Sequence, residues 1–393
     1  MNIASRLSKV KPSATLAMSA RAKALKAEGK DIISLAAGEP DFDTPLHIKE
    51  AAHQAINAGK TKYTPVAGTL ELRTVIAEYA SKIYGENISY EQTMVCSGAK
   101  HALFNLCHAL LEPHDEAVII SPYWVSYPDM IHLQGAKAKI VYAKQNSDFI
   151  PAIEDLEKEL TEKTKLLFIN SPSNPTGVVY PSTFYQGLAD LLERYPNCYV
   201  VSDDIYCGLS YDHPFTCLFH IAPNLRHRIL LINGVSKTYA MTGWRVGFII
   251  AQPEFIQVLS RIQGASTSGI CSIAQSAACA ALNGPQEDAL EMFNHFKERR
   301  DLIYHSINNL PNVSAIMPQG AFYIFPDFSH YMRGELNNSA KLSEFFLEQA
   351  LVASVPGSGF GAEGFIRMSF ATSLADLEKA CSRIEDVLTQ IPT

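Results

Sequence analysis

Residues 199–206 read Tyr-Val-Val-Ser-Asp-Asp-Ile-Tyr. The first five have the length and the apolar, β-branched character of a strand covered on both faces, and the run stops on a carboxylate. The same texture repeats outward in both directions. Thr93–Ser97, Ala117–Ser121, Ala138–Ala143 and Leu166–Asn170 precede it, and Ile229–Asn233 and Gly247–Ala251 follow. Seven such runs, alternating with helical stretches, predict an α/β fold with a seven-stranded, mostly parallel sheet flanked by helices.

Outside this block the pattern changes. Three helices are expected before it. The first runs from Ser13 to Gly29. Thr44 caps the second, with Pro45 at its first position and Gly59 just past its end. The third runs from Thr69 to Gly85 with Leu72, Ile76, Tyr79 and Ile83 at helical spacing. After the block, a long helix from about Ala289 to Leu310 leads through the turn Pro318-Gln319-Gly320 to a strand at Ala321–Phe325. A helix at Leu342–Ala350, strands at Leu351–Pro356 and Phe365–Phe370, and a last helix from Ser373 complete a smaller α/β unit. The expected division is an N-terminal arm (1–45) packing with the small unit, a large domain (46–290) and a small C-terminal domain (291–393).

The chain has 393 residues, 47% hydrophobic and 19% charged. That supports a sizeable core and excludes wholesale disorder. A formal net charge of -7 and a pI near 6.0 argue against a nucleic-acid partner. No apolar run reaches the roughly 18 residues of a membrane span. The eight cysteines form no C-x-x-C and keep no metal-like spacing, so free thiols in a reducing cytoplasm and no metal site are expected. The first acid is Glu28, a charge pattern shared with mitochondrial presequences, but the same stretch carries a motif of the fold described below.

Ligands of open parallel sheets sit beyond the carboxyl ends of the strands. Gly98-Ala99-Lys100 follows the first strand and opens a helix. Pro122-Tyr123-Trp124 follows the second, and Ser171 to Gly177, with Asn174, follows the fourth. The fifth ends in Asp203-Asp204-Ile205-Tyr206. The sixth is followed by Ser236-Lys237 and then Gly243-Trp244-Arg245. Each residue has an ordinary reading: Lys237 a solvated loop lysine, Asp203 a cap or ion-paired acid, Trp124 a core filler, Asn174 a turn residue. Each also has a chemical one. A lysine in a partly apolar site has a lowered pKa and attacks carbonyls. Arg245 and the helix start at Gly98–Lys100 can hold a phosphate. Asp203 can face a protonated pyridine nitrogen, Trp124 can stack on a flat ring, and Asn174 and Tyr206 can donate to a phenolate oxygen. Together they describe a pyridoxal 5'-phosphate site.

On these motifs the chain resembles the class I aminotransferases of fold type I, and within them the Ib subgroup of aspartate aminotransferases. The resemblance runs from Lys11-Pro12-Ser13-Ala14-Thr15 to the last helix. It is carried by Ala37 to Phe42, Thr61 to Pro65, Ser121 to Pro128, Asn174-Pro175-Thr176-Gly177, Ser202-Asp203 with Ile205-Tyr206, Ser236-Lys237, and Met241 to Arg245. It implies that Lys237 carries the cofactor and shuttles the proton, Asp203 pairs with the pyridinium, and Asn174 and Tyr206 bind the phenolate oxygen. Trp124 and Ile205 would cover the two ring faces. Gly98, Ala99, Lys100, Ser236 and Arg245 would hold the phosphate. Tyr63 would reach the phosphate of a neighbouring subunit, which implies a homodimer with shared sites. Arg367 would bind the substrate α-carboxylate, with Gly38 and Trp124 completing that pocket. Lys100 and Thr15, with Ser13 close by, would read the second carboxylate. The resemblance thus implies ping-pong transfer of amino groups between L-aspartate or L-glutamate and 2-oxo acids, with prephenate a further acceptor. Two residues depart from the relatives' pattern: His101, where glutamine is usual, and Ala99, where glycine is frequent.

Rival readings are a same-fold enzyme with aromatic or alanine preference and a pyridoxal-phosphate C–S lyase, for which Arg367 would serve equally. Gly359-x-Gly361-x-x-Gly364 matches a dinucleotide fingerprint, but a strand rather than a helix is expected after it. An aminotransferase-like sensor domain of a transcription factor would need a DNA-binding unit ahead of the fold, whose motifs begin at Lys11.

Overall fold

The computed structural model describes residues 4–10 and 14–391. Seven strands form one sheet: β1 (Thr93–Cys96), β2 (Glu116–Ser121), β3 (Lys137–Tyr142), β4 (Thr164–Asn170), β5 (Tyr199–Asp203), β6 (Ile229–Gly234) and β7 (Gly247–Ile250). Their spatial order is β1-β7-β6-β5-β4-β2-β3. β7 runs antiparallel to β1 and β6, and every other pair is parallel. The reversal has a local cause. The β6–β7 connection holds only a short 3-10 turn at Thr242–Trp244, with no helix to carry a parallel crossover.

Burial on both faces explains the near-continuous apolar runs. Ile119, Phe168, Val201 and Ile232 point into one core layer with the helices Ala99–Leu110 and Pro253–Ser266. Their neighbours Val118, Leu167, Val200 and Leu231 point into the other, against the helices Leu70–Tyr84, Ser182–Leu192 and Ser272–Asn283. Each such side chain contributes roughly 1.5–3 kcal/mol on burial.

Caps behave as the residue types dictate, with one correction. Thr69 Oγ1 accepts from Leu72 N–H, and Gly85 ends that helix in the left-handed region. Thr44 is not a cap. Its hydroxyl donates to Ala240 O and accepts from Trp244 Nε1, and Pro45 precedes the helix Leu46–Asn57.

In the C-terminal part, Tyr323–Ile324, Ile366–Ser369 and Val355–Pro356 form an antiparallel sheet. The helices Glu287–Asn308 and Leu374–Leu388 pack with it, the latter capped by Ser373. Ile33–Ser34 pairs in parallel with Val352–Ala353. The strand expected over residues 351–356 therefore divides at Ser354, its two halves pairing with different partners. The helix expected at Leu342–Ala350 starts earlier, at Ser339, and its last turn widens over Phe346–Ala350. All eight cysteines are free thiols. Among the described residues no helix is long and apolar enough to cross a membrane, and no three His, Cys, Asp or Glu cluster as metal ligands would.

Candidate active site

The carboxyl ends of β4, β5 and β6, the helix start after β1 and the loop after β2 open onto one cavity of about 650 Å³. It brings together Gly38, Ala99, Lys100, Trp124, Asn174, Asp203, Ile205, Tyr206, Ser236, Lys237, Arg245 and Arg367. Tyr63 is fully exposed outside it, at 100% accessibility. Ser13 and the side chain of Thr15 lie outside the described residues.

Asp203 ends β5 and is buried. Its Oδ2 accepts a 2.6 Å hydrogen bond from Tyr127 Oη, while its buried Oδ1 has no partner. Burial pushes the carboxyl up to about 6. The Tyr127 hydroxyl, the Ile205 backbone N–H and the Lys237 charge pull it down. A buried carboxylate with an open lone pair favours a cation or N–H donor at that position.

Lys237 follows β6, and its ammonium donates to Gly38 O. Burial first, then the neighbouring Arg367 and Arg245 charges, lower its pKa to about 8, against Glu39 and Asp203. A fraction of this amine is therefore neutral and nucleophilic near physiological pH. Stripped of cofactor, the protein is expected to react with pyridoxal phosphate at a rate that rises with pH and is half-maximal near 8. A stopped-flow pH series checks this; a midpoint at the ordinary 10.5 would contradict it.

The anion cup is built on close backbone approach. Gly98 sits at φ +84°, and a Cβ there would lie 2.3 Å from Arg245 Nη2. Gly247, opening β7, lets that strand touch the helix start: a Cβ would lie 2.2 Å from Ala99 N. The Ala99 and Lys100 N–H groups have no backbone acceptor among the described residues, while those of His101 and Ala102 donate to Gly98 O. Arg245 aligns beside them, donating to Thr242 O at 3.0 Å and Ser97 O at 3.3 Å. Buried Ser236 lines the same cavity.

Arg367 lies in the strand Ile366–Ser369 and is 2% exposed, yet among the described residues no carboxylate pairs with it. It donates to Asn174 Oδ1 at 3.1 Å and Ala36 O at 2.9 Å, and its Nε is unsatisfied. Its guanidinium lies 4.4 Å from the Tyr323 ring centroid. Tyr323 Oη is 3.1 Å from Tyr206 Oη. Lys100 Nζ stands 4.8 Å from the Trp124 ring centroid, its pKa lowered by burial and by Arg245.

Four cations (Lys100, Lys237, Arg245 and Arg367) and two acids (Glu39 and Asp203) line this cavity. No carboxylate among the described residues lies within ion-pair distance of any of the four. Such a site selects ligands with several negative charges.

Sequence reasoning missed Tyr127, Tyr323, Asn170, Glu39 and Ser19. Tyr127 stood inside the Ser121–Pro128 motif. Asn170 Nδ2 donates to Asp203 O, and its Oδ1 accepts from Asn174 N–H, linking two strand ends. Glu39 accepts from Thr242 Oγ1. Ser19 lines the cavity from the N-terminal helix Ala14–Ala27.

The donor set fits pyridoxal phosphate: an amine near pKa 8, an open buried carboxylate oxygen, an arginine beside a helix start, and an indole. Fold and site define a pyridoxal-phosphate-dependent enzyme of fold type I. The family model for aminotransferase class I and II matches residues 30–384, and the chain belongs to this family. It is 46% identical over 391 residues to a probable aspartate/prephenate aminotransferase of Rhizobium leguminosarum, covering 98% of each chain. It is 42% identical to an aspartate aminotransferase of Bacillus subtilis, again over 98% of each. The solved aspartate aminotransferase of Rhizobium meliloti superposes with a TM-score of 0.94 at 39% identity, covering 100% of both chains. That of Thermus thermophilus with maleate gives 0.93 at 39%, covering 98% of this chain and 100% of the other.

Proposed function

We propose that this chain is an aspartate aminotransferase, moving the amino group of L-aspartate or L-glutamate to oxaloacetate or 2-oxoglutarate by a ping-pong mechanism. One observation carries the reading. Arg367 and Lys100, neither paired with a carboxylate among the described residues, line the same cavity as the low-pKa amine of Lys237. An α-carboxylate suits Arg367, whose unsatisfied Nε and half-committed nitrogens can hold it as a bidentate pair. A second carboxylate suits Lys100, with Thr15 and Ser13 proposed beside it.

When bound, pyridoxal phosphate supplies an electron sink for the pair released as the substrate Cα–H bond breaks. Lys237 Nζ would accept that proton and hold it for return. A pKa near 8 suits both directions. Asp203 Oδ1 would accept from the ring N–H of the bound cofactor and favour its protonated form, while Tyr127 fixes the other oxygen. Asn174 and Tyr206 would donate to the ring oxygen, Trp124 and Ile205 would cover the ring, and the 98–100 turn, Ser236 and Arg245 would hold the phosphate. Arg367 would hold the substrate by its α-carboxylate and so orient its Cα–H bond.

Several features of the assembly belong to the same proposal. Tyr63, wholly exposed, is assigned to the neighbouring site of a homodimer. The division at 45 and 290 is supported by the pairing of Ile33–Ser34 with Val352–Ala353 and by a core shared between Ile33, Leu35 and the C-terminal helices. A cytoplasmic location is in keeping with eight free thiols. Prephenate, which carries two carboxylates, is proposed as a further acceptor, and a relative named for it supports this.

The test is a set of single-turnover half-reactions with a panel of amino acids, followed by the absorbance change as the bound aldehyde becomes an amine. Aspartate and glutamate should lead the panel. Release of ammonia and pyruvate instead would point to a lyase. Lys100→Ala combined with Thr15→Ala should lower kcat/KM for aspartate roughly 10²-fold, the ~3 kcal/mol of leaving a charge unpaired. Alanine should lose little. Equal losses for both substrates would contradict the second-carboxylate assignment.

A further inference from the structure

We propose that His101 is a positioning residue for the phosphate-binding arginine, acting through the backbone of Ser97. The inference deepens the reading above and rests on its assignment of Arg245 and the 98–100 turn to the phosphate.

His101 is the third residue of the helix Ala99–Leu110. Its Nδ1 accepts the backbone N–H of Ser97 at 3.2 Å. The carbonyl of the same Ser97 accepts from Arg245 Nη2 at 3.3 Å. One residue is thus held at its N–H by the imidazole and holds the guanidinium with its C=O. The arrangement matters because the guanidinium has few other anchors. Gly98, the next residue, stands at φ +84° and has no side chain to pin the turn. Arg245 has a left-handed backbone, at φ +55°. Its guanidinium donates only to two carbonyls, those of Ser97 and Thr242, among the described residues. If Ser97 swings, one of those two anchors goes with it.

The chemistry of the ring fits the task. Accepting an N–H requires a bare Nδ1, hence a neutral imidazole with its proton on Nε2. Half-burial disfavours the charged form, in keeping with that state. Glutamine and glutamate at the third helical position reach back in a similar way in capping boxes, to the N-cap N–H; here the acceptor reaches one residue further, to Ser97 before the cap Gly98. Glutamine Oε1 can therefore replace Nδ1, whereas leucine fills similar space with no acceptor.

The experiment measures the dissociation constant of pyridoxal phosphate from the holoenzyme by loss of bound-cofactor absorbance on dilution, and separately kcat at saturating cofactor. His101→Leu is expected to raise the dissociation constant roughly tenfold, the worth of one part-buried hydrogen bond, with kcat nearly unchanged. His101→Gln should stay within about twofold of the parent. Arg245→Gln should weaken binding more than His101→Leu, and adding His101→Leu to it should cost nothing further, since the guanidinium that Ser97 positions is then gone. The inference is overturned if His101→Leu binds like the parent, if His101→Gln is as weak as His101→Leu, or if the double variant shows additive losses. Circular dichroism melting separates these from misfolding, and a poorly folded His101→Leu is replaced by His101→Met under the same criteria. If Arg245→Gln leaves cofactor affinity unchanged, the phosphate assignment itself fails, whatever the His101 variants do.

Discussion

Lys237→Ala is expected to lose transamination by about 10⁴-fold or more, because one amine serves as cofactor tether and as proton carrier. The loss should not come from unfolding. The side chain lines an open cavity, and among the described residues its one hydrogen bond is to Gly38 O. Removing an ammonium from a cavity shared with Arg245 and Arg367 also relieves like-charge repulsion. The variant should melt within a few degrees of the parent and still hold the cofactor through Arg245, Asp203 and the helix start, but release it on gel filtration. Small external amines should restore part of the rate. A variant retaining a tenth of parental turnover would contradict the assignment.

Asp203→Asn carries the second-largest effect, roughly 10²–10³-fold in kcat, the scale of removing one preorganised electrostatic contact from a water-excluded site. An amide keeps the size of the carboxyl and can still accept from Tyr127 Oη. It cannot hold a proton on a ring nitrogen as a carboxylate does. Stability should move the other way. Burial raises the Asp203 pKa to about 6, so the empty protein carries a carboxylate that its surroundings disfavour near neutral pH. The cofactor-free asparagine variant should therefore melt at or above the parental temperature at pH 8. An unchanged kcat, or a large fall in Tm, would mean that Asp203 is a structural acid.

Much of this was legible in the residues because strand ends and chemistry coincide. Apolar runs buried on both sides announce themselves without tertiary knowledge, and Asp203, Asn174 and Lys237 each stand just where such a run gives out. The reversal of β7 was not legible from texture, since antiparallel and parallel buried strands share it. Only the missing helix between Gly234 and Gly247 hints at it. Thr44 misled because a threonine before proline suits a cap, yet its hydroxyl serves Ala240 and Trp244 from distant parts of the chain. Tyr127 and Tyr323 stayed hidden for a similar reason. A tyrosine amid apolar residues reads as core, and its hydroxyl partner, Asp203 or Tyr206, is known only once the chain has folded. Leu351–Pro356 read as one strand because a divided strand and a continuous one have the same composition.

The central claim is that the side chain at position 237 binds the vitamin B6 aldehyde. Borohydride converts an amine–aldehyde adduct into a stable secondary amine, which survives proteolysis. Peptide mass spectrometry of the reduced holoenzyme should find the cofactor mass on the peptide containing Lys237 and on no other lysine. A tag on Lys100 or on a surface lysine, with the Lys237 peptide unmodified, would contradict the account.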